Sequence, residues 1–209
     1  SSIFEPLFSE IKNMLSSKDS LAVLKKTRAL LDGHFVLSSG LHSSKYVQCA
    51  KLLSKPSLAS KICLSLAKKI RKEFKNIDII LSPAMGGIVI GYEIGRLLNK
   101  ETIFCERVNK KFQLRRGFSI KPKSKVLIVE DVITTGKSSL ECTKLIKKFK
   151  SSNIGFACII DRSEKKTLKI KNKKIVSQIK INIPTYKKKN LPPFLKKIPI
   201  TRPGSRNLK

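Results

Sequence analysis

The sequence predicts an α/β fold built on a doubly wound, parallel sheet of roughly five strands. Short runs of aliphatic and β-branched residues alternate with longer stretches in which apolar residues recur at helical spacing. Strands that alternate with helices in this way form parallel βαβ units. The apolar run 126–129 ends in two adjacent acids, Glu130 and Asp131, followed by small and hydroxyl-bearing residues. Because ligands of doubly wound sheets bind at the carboxyl ends of the strands, this segment also predicts where a ligand binds.

The elements follow in order along the chain. Helical spacing predicts an amphipathic helix over residues 3–15 and a short helix over 19–26. Pro56 suits the first turn of a helix that runs to about residue 74. The remaining pattern predicts alternating residues over 29–38, a turn at 38–40, strands over 46–53, 77–81, 102–106, 125–130 and 155–161, helices over 88–99 and 137–150, a charged loop or hairpin over 109–122, and an edge hairpin over 168–183 followed by an extended tail.

The net charge of +31 raises the question of nucleic-acid binding. Of the 45 basic residues, 36 are lysines spread over the whole chain, and aromatic residues make up only 6% of it. A nucleic-acid surface more often concentrates its charge and interleaves aromatic side chains for base stacking. The charge is therefore interpreted as solvated, lysine-rich faces that attract polyphosphate substrates, with only weak and nonspecific binding of nucleic acid.

Cysteine usage and hydropathy indicate a cytoplasmic protein. The five cysteines are scattered, without the spacing of a zinc site or of a disulfide framework, which predicts a reducing compartment. No apolar run approaches the roughly 20 residues that span a bilayer, so no membrane association is expected. Glu5 and Glu10 interrupt the first apolar residues, which argues against a signal peptide. No cluster of histidine and cysteine predicts a transition-metal site.

The loop after the acid pair is typical of a phosphate cradle. Successive backbone N–H groups in a tight loop, followed by a helix N-terminus, bind an anion without a basic side chain. Gly136, Lys137 and Ser138 also match the end of a Walker A motif, which would indicate a nucleotide triphosphatase. That motif requires a glycine five positions before its Gly-Lys pair, where this chain has Asp131. The triphosphatase interpretation is therefore rejected.

The acid pair followed by Thr-Thr-Gly instead resembles the diphosphoribose-binding signature of type I phosphoribosyltransferases. Segments 33–43, 82–87, 114–118 and 203–206 look like orotate phosphoribosyltransferase, in the expected order. The resemblance implies one domain over residues 1–209, with a core over about 56–165 and a small hood formed by about 1–55 and 166–209. It also implies transfer of ribose 5-phosphate from phosphoribosyl diphosphate to orotate, a requirement for Mg²⁺, and a homodimer with shared active sites.

The resemblance assigns the sugar-phosphate donor to two loops. Glu130 and Asp131 would hold the ribose hydroxyls directly or through Mg²⁺, which the substrate mainly holds, with Asp131 as the candidate protein ligand. The 5′-phosphate would lie in a cradle formed by Val132, Ile133, Thr134, Thr135, Gly136, Lys137 and Ser138. Lys137 either adds charge there or points to solvent. The diphosphate would bind the turn at Ala84, Met85 and Gly86, where two adjacent glycines allow close backbone approach.

The family resemblance also implies a mobile loop over residues 106–117 that closes over the neighbouring subunit's site. Arg107 matches a diphosphate-contacting arginine, and Lys111 is the expected loop lysine, with Lys110 as its alternative. Relatives with longer loops use a histidine here, which this chain lacks, and Arg115 and Arg116 are candidates to replace it. Together with Asp131, Arg107 and Lys111 are the expected catalytic residues.

For orotate, the resemblance implies Arg162 as the carboxylate clamp, because a guanidinium fork matches a carboxylate in bidentate geometry. Thr134 would contact the pyrimidine, and Phe35 and His42 would contribute from the hood. His42 stands where some relatives have a substrate-contacting lysine. Two alternatives stay open: a purine phosphoribosyltransferase, which Arg162 disfavours because a purine has no carboxylate, and a non-catalytic nucleic-acid-binding regulator of the same fold.

Overall fold

The computed structural model describes residues 14–37 and 39–201. The helix predicted over residues 3–15 lies almost entirely outside the described residues, and so does the segment 203–206. The described residues form the helices α1 (Ser17–Lys26), α2 (Cys49–Leu53), α3 (Pro56–Glu73), α4 (Gly87–Leu98), α5 (Lys137–Lys148) and α6 (Pro193–Lys196), a 3₁₀ turn (Lys188–Asn190), and the strands β1 (Leu30–Val36), β2 (His42–Val47), β3 (Ile79–Pro83), β4 (Glu101–Val108), β5 (Lys111–Leu114), β6 (Lys125–Ile133), β7 (Ser152–Asp161), β8 (Ile175–Lys180), β9 (Thr185–Tyr186) and β10 (Ile200–Thr201).

The core is a six-stranded sheet in the order β5-β4-β3-β6-β7-β8. Five of its strands are parallel, and β5 is an antiparallel edge strand paired with β4. The predicted doubly wound parallel sheet is confirmed. Strand β3 is buried along its whole length, as expected for a central strand covered on both faces by helices.

Helices cover both faces of the core sheet because the side chains of each strand alternate between them. On β6, Leu127 and Val129 join the apolar cluster that includes α3 and α4. Val126 and Ile128 join the second cluster, which includes α5. Helix α3 begins with Pro56 in its first turn and buries Ile62, Leu66 and Ile70 at helical spacing. Among the described residues no helix has the length and apolar character to cross a membrane.

A second sheet, called the hood here, has four strands in the order β10-β1-β2-β9. Two of its strands, β1 and β2, come from the N-terminal part of the chain, and β9 and β10 come from the C-terminal part. Two buried histidines connect its strands: His34 Nε2 lies 2.7 Å from His42 Nδ1, and His34 Nδ1 lies 3.0 Å from the Ile198 carbonyl oxygen. Because a carbonyl only accepts, His34 donates from Nδ1. Burial, and then the neighbouring His34, lower the pKa of His42, which favours the neutral ring.

Two predicted elements are wrong. Residues 46–53 are not one strand, because β2 ends at Val47 and α2 follows; Cys49 and Leu52, three positions apart, are buried on one face of this short helix. The predicted hairpin over 168–183 is a single strand, β8, which pairs in parallel with β7 and extends the core sheet. The residues between β7 and β8 cross the carboxyl end of the sheet instead of forming a hairpin arm.

Candidate active site

Two loops meet at the carboxyl ends of the neighbouring parallel strands β3 and β6. The first, residues 84–86 (the diphosphate turn), connects β3 to α4, and the second, residues 133–138 (the phosphate loop), leads from β6 into α5. A Cβ atom on Gly86 would lie 2.8 Å from Asp131 Oδ2, so the turn rests directly against the acid that ends β6. The fold therefore brings together the two segments that were predicted to bind the sugar-phosphate donor.

The two adjacent acids of β6 face opposite sides of the sheet, as neighbouring residues of a strand must. Glu130 is buried on the α5 side, where its Oε1 accepts a 2.8 Å hydrogen bond from Ser139 Oγ. Asp131 lies on the side of the diphosphate turn, and its Oδ1 accepts a 2.9 Å hydrogen bond from the Val132 N–H. The two adjacent acids of the motif therefore lie in different surroundings, Glu130 against α5 and Asp131 against the diphosphate turn.

Their electrostatics differ accordingly. Burial raises the pKa of Glu130 to about 7; the hydrogen bond from Ser139 opposes this shift, and the nearby charge of Asp131 adds to it. Burial also raises the pKa of Asp131, and the hydrogen bond from the Val132 N–H opposes the increase. Asp131 is partly exposed, whereas Glu130 is buried, so Asp131 is the acid that a ligand can reach.

The phosphate loop has the geometry of an anion site. Gly136 adopts the left-handed conformation with φ of 71°, which lets the chain turn from β6 into the twelve-residue helix α5. The first N–H groups of α5 have no partners within the helix and point toward the loop, where they favour a negative charge. Thr134 is exposed, Thr135 and Ser138 are partly exposed, and the Lys137 side chain is exposed. Ile133 is buried and anchors the loop to the core.

Arg162 lies beside the phosphate loop because its N–H donates a 2.9 Å hydrogen bond to the Ile133 carbonyl. Its side-chain Nε is buried and has no hydrogen-bond partner among the described residues. Burial lowers the pKa of this guanidinium, which is the cost of keeping it away from water. A buried donor without a partner is rare in folded proteins, and a bound ligand is one way to complete it.

The charged segment after β4 is a hairpin, so the second of its two predicted forms is confirmed. Asn109 and Lys110 adopt left-handed conformations in the turn between β4 and β5. Arg107 forms a 2.7 Å ion pair with Glu141 of α5 and stacks 4.1 Å from the centre of the Phe112 ring.

The other cations of this hairpin differ in their partners. Arg116 forms a fork of hydrogen bonds, 2.8 and 2.9 Å long, with Glu106. Lys110, Lys111 and Arg115 are exposed, and none of them forms a direct ion pair with another described residue. They are therefore available to an incoming anion in this conformation.

The diphosphate turn is open to solvent. Its first residue, Ala84, is fixed by an N–H donated to the Cys105 carbonyl at 2.8 Å, and the Ala84–Met85 peptide is cis. Met85 is 82% exposed and Gly86 is exposed. The turn carries no basic side chain, so any cation near a bound diphosphate must come from another segment.

The two hood residues predicted to contact orotate are both buried. Phe35 is 3% exposed, and its ring centre lies 5.7 Å from that of Tyr46. His42 is 4% exposed and takes part in the hydrogen bond to His34. In this conformation both residues contribute to the hood's own packing.

Sequence reasoning missed two partners of the site. Ser139, which holds Glu130, was not singled out, although it follows Ser138 in the first turn of the helix, where hydroxyl residues are common. Glu141, which holds Arg107, lies four residues after Lys137 on the same helix. Neither pairing has a signal in the sequence. Each joins α5 to a strand, β6 or β4, and no spacing rule relates residues of two different elements.

Comparison with known proteins agrees with this geometry. A model of the phosphoribosyl transferase domain matches residues 51–189. Orotate phosphoribosyltransferase of Erythrobacter litoralis is 42% identical over 194 residues, which cover 92% of this chain and 99% of that protein. Its counterpart in Sphingopyxis alaskensis is 43% identical over 189 residues, covering 90% of this chain and 96% of that protein. The crystal structure of orotate phosphoribosyltransferase from Aeropyrum pernix superposes with a TM-score of 0.59 at 24% identity, covering 77% of this chain and 92% of that one.

The domain match covers more than half of the chain, and the two bacterial relatives align over nearly all of it. The strand order, the contact between the diphosphate turn and Asp131, and the buried Arg162 Nε without a partner among the described residues are consistent with that assignment. The chain therefore belongs to the phosphoribosyltransferase family and, within it, to the orotate phosphoribosyltransferases.

Proposed function

We propose that this protein transfers ribose 5-phosphate from phosphoribosyl diphosphate to orotate, forming orotidine 5′-monophosphate and diphosphate for pyrimidine synthesis. Arg162 supports orotate as the acceptor, because its buried Nε has no partner among the described residues. Its backbone is hydrogen bonded to the phosphate loop, which places the side chain at the end of the sheet where the donor binds. A carboxylate on the acceptor base satisfies this guanidinium, and a purine offers no such group.

The phosphate loop binds the 5′-phosphate of the donor, and Asp131 binds its ribose hydroxyls. When the bond between C1′ and the diphosphate oxygen breaks, its electron pair leaves with the diphosphate, and positive charge develops on the ribose. N1 of orotate then bonds to C1′ and gives up its proton. Groups oriented in advance toward these charges stabilise the transition state more than they stabilise the substrate.

Mg²⁺ suits this site as a partner of the substrate. Mg²⁺ usually binds one or two carboxylates together with substrate phosphates and waters, and it neutralises their charge. Among the described residues no group of three or more His, Cys, Asp or Glu side chains is placed to hold a metal. Asp131 is the candidate ligand, because it is partly exposed and faces the diphosphate turn, whereas Glu130 is buried against Ser139.

The β4–β5 hairpin supplies the cations that the diphosphate turn lacks. Lys111, with Lys110 as the alternative, neutralises the leaving diphosphate, and Arg115 is available beside them. Arg107 is 40% exposed and held by Glu141, so its contact with diphosphate requires this ion pair to open. Closure of the hairpin over the site also excludes water from the reactive ribose.

A homodimer is the assembly that fits this surface. Val89 and Tyr92, 53% and 68% exposed, lie three positions apart on α4, and Met85, 82% exposed, precedes the helix; these three side chains are called the apolar stripe here. The stripe begins in the diphosphate turn itself, and a second copy that covers it brings its hairpin to the same site. The five cysteines are free, buried thiols, which supports a reducing, cytoplasmic location.

The test is an absorbance assay of orotate consumption with phosphoribosyl diphosphate and Mg²⁺. Wild-type protein is expected to consume orotate, and a chelator is expected to abolish turnover. Arg162→Ala should raise the KM for orotate at least tenfold, because a lost charged hydrogen bond costs roughly 1.5–3 kcal/mol, and it should leave the Kd of ribose 5-phosphate, measured without orotate, within about twofold.

Arg162→Lys is the matched control, since it keeps the charge and loses the fork. An equal rise in the KM for orotate and in the Kd of ribose 5-phosphate without orotate would contradict the clamp role. Consumption of adenine or hypoxanthine in place of orotate would overturn the acceptor, and tight RNA binding without turnover would favour a regulator.

A further inference from the structure

Residues 162–170, called the strap here, cross the phosphate loop and are hydrogen bonded to it at two points. The Arg162 N–H donates to the Ile133 carbonyl at 2.9 Å, and the Lys169 N–H donates to the Thr135 carbonyl at 2.7 Å. Between these points the strap turns back on itself, as the N–H of Leu168 donates to the Glu164 carbonyl at 2.9 Å. The strap thus begins with the acceptor clamp and ends on the phosphate loop.

Apolar contacts lock the two segments together. A Cβ atom on Gly136 would lie 2.7 Å from Ile170 Cγ1 and 3.3 Å from Leu168 Cδ1, so these side chains cover the glycine directly. Ile170 is 7% exposed, and Leu168 is partly buried. Because interiors are close-packed, a shift of the left-handed turn at Gly136 must displace these two side chains.

The other side of the strap faces water. Lys165, Lys166 and Lys169 are exposed, so the apolar contacts of this segment are directed at the phosphate loop. Fixing the loop around a phosphate therefore also fixes the strap, and with it the backbone of Arg162. The Arg162 side chain is partly buried, and its Nε has no partner among the described residues, so its placement is sensitive to this support.

We propose that Leu168 and Ile170 are positioning residues that couple the phosphate loop to Arg162, so that the 5′-phosphate of the donor and the carboxylate of orotate bind cooperatively. The proposal rests on the proposed function, since it takes Arg162 as the orotate clamp. Coupling of two sites by a shared element is reciprocal, so each ligand raises the affinity for the other by the same factor. A factor of about 5–20 is expected here, within the usual range for coupled sites.

The experiment measures the Kd of orotate by calorimetry, with and without saturating ribose 5-phosphate. Wild type should bind orotate about 5–20-fold more tightly when ribose 5-phosphate is present. In Leu168→Ala/Ile170→Ala this gain should fall to about twofold or less, while the Kd for ribose 5-phosphate alone changes less than about threefold. Thr167→Ala, an exposed position of the same strap, is the matched control and should keep the full gain.

An unchanged gain in the double variant overturns the proposal, as does the lack of any gain in wild type. A direct contact between the two ligands would persist in the variant, so the difference between the proteins measures the strap alone. If the double variant does not fold by circular dichroism, Leu168→Val and Ile170→Val are used with the same criterion. The proposed function fails separately, through lack of turnover in wild type or lack of orotate binding to it.

Discussion

The phosphate loop and the diphosphate turn lie at the ends of neighbouring strands but are supported in opposite ways. The phosphate loop is covered: Gly136 is buried beneath Leu168 and Ile170, and Thr135 is hydrogen bonded to the strap. The diphosphate turn is open: Met85 is 82% exposed, and the nearest neighbour of Gly86 is the carboxylate of Asp131. The strap fixes the phosphate loop, whereas no comparable segment covers the diphosphate turn among the described residues.

The difference fits the fates of the two groups that these loops are proposed to bind, the 5′-phosphate and the diphosphate. The 5′-phosphate stays on the ribose throughout the reaction, so a fixed cradle gives a constant point of reference for the reacting carbon. The diphosphate changes charge as it leaves and must then be released, which favours an open turn and cations on a separate, movable hairpin. The two loops therefore predict different consequences for similar substitutions.

The largest effect is expected for Asp131→Asn. The substitution keeps the size of the side chain but removes the charge that faces the diphosphate turn and any bound Mg²⁺. Loss of one group that stabilises the transition state typically costs about 10²–10³-fold in kcat. Steady-state kinetics at saturating Mg²⁺ should show this loss, with the melting temperature unchanged or raised, because burial disfavours the ionised form of Asp131.

Asp78→Asn is a useful control for that substitution. Asp78 accepts the Lys125 N–H at 2.7 Å, at the opposite end of β6. It should lower stability slightly and leave kcat unaltered. Equal kinetic losses in the two variants would show that the open turn does not depend on the local charge of Asp131.

The second prediction concerns Glu130→Gln, which should change stability more than activity. The folded-state pKa of about 7 lies above the ordinary value of 4.5, so the folded protein binds the extra proton between these values. Stability is therefore lost as the pH rises from about 4.5 through 7, and keeping the acid ionised above pH 8 costs about 3 kcal/mol. Glutamine stays neutral and still accepts the Ser139 hydrogen bond, so the variant should be the more stable protein at pH 8.

Denaturation in urea at pH 5 and pH 8 tests this sign. The advantage of the variant over wild type should be small at pH 5, under about 1 kcal/mol, and grow toward pH 8. Its kcat should fall less than that of Asp131→Asn, because Glu130 is turned toward α5. A pH-independent difference would contradict the raised pKa, and a larger kinetic loss than in Asp131→Asn would place Glu130 at the reacting groups.

Matched glycine substitutions compare the two loops directly. Gly136→Ala combines a left-handed φ of 71° with a Cβ 2.7 Å from Ile170, so it should cost about 1–2 kcal/mol of stability. Gly86→Ala has a φ of −62°, which alanine adopts freely, and its Cβ would press on Asp131 Oδ2 at 2.8 Å. The carboxylate can rotate away, so stability should hold while kcat/KM falls about tenfold.

Thermal denaturation and kinetics of both variants decide the comparison. The expected pattern is a lower melting temperature for the covered loop and lower activity for the open turn. If Gly86→Ala loses stability and keeps its activity, the added methyl group does not displace Asp131, and the diphosphate turn has a structural role instead.

Most of the fold was predictable because its signals are local. Apolar runs predicted four of the five parallel strands of the core, whereas β8 was mistaken for part of a hairpin; glycine-bearing turns after β3 and β6 predicted the diphosphate turn and the phosphate loop. The short helix α2 was mistaken for a strand because five residues make too few turns to show helical spacing. Strand alternation predicts that Glu130 and Asp131 face opposite sides of the sheet, although the motif presents them as a pair.

The long-range part of the site could not be predicted. The strap packs against Gly136 from residues about thirty positions later in the sequence, and no spacing rule connects them. The pairing of Arg107 with Glu141 likewise joins a strand to a helix across the intervening β6. Propensity and periodicity describe single elements, whereas these contacts depend on how the elements are stacked.

The smallest effect is expected for Lys137→Ala, which tests whether the covered loop relies on side-chain charge. Lys137 is exposed at the start of α5, beside N–H groups that already favour an anion. If the backbone cradle holds the 5′-phosphate, the KM for the donor should change less than about twofold, consistent with an exposed charge worth under 1 kcal/mol. Measurement at low and high salt separates general attraction from direct contact, because screening removes only the former. A salt-independent rise of tenfold or more would mean that Lys137 contacts the phosphate and that the loop is not complete through its backbone.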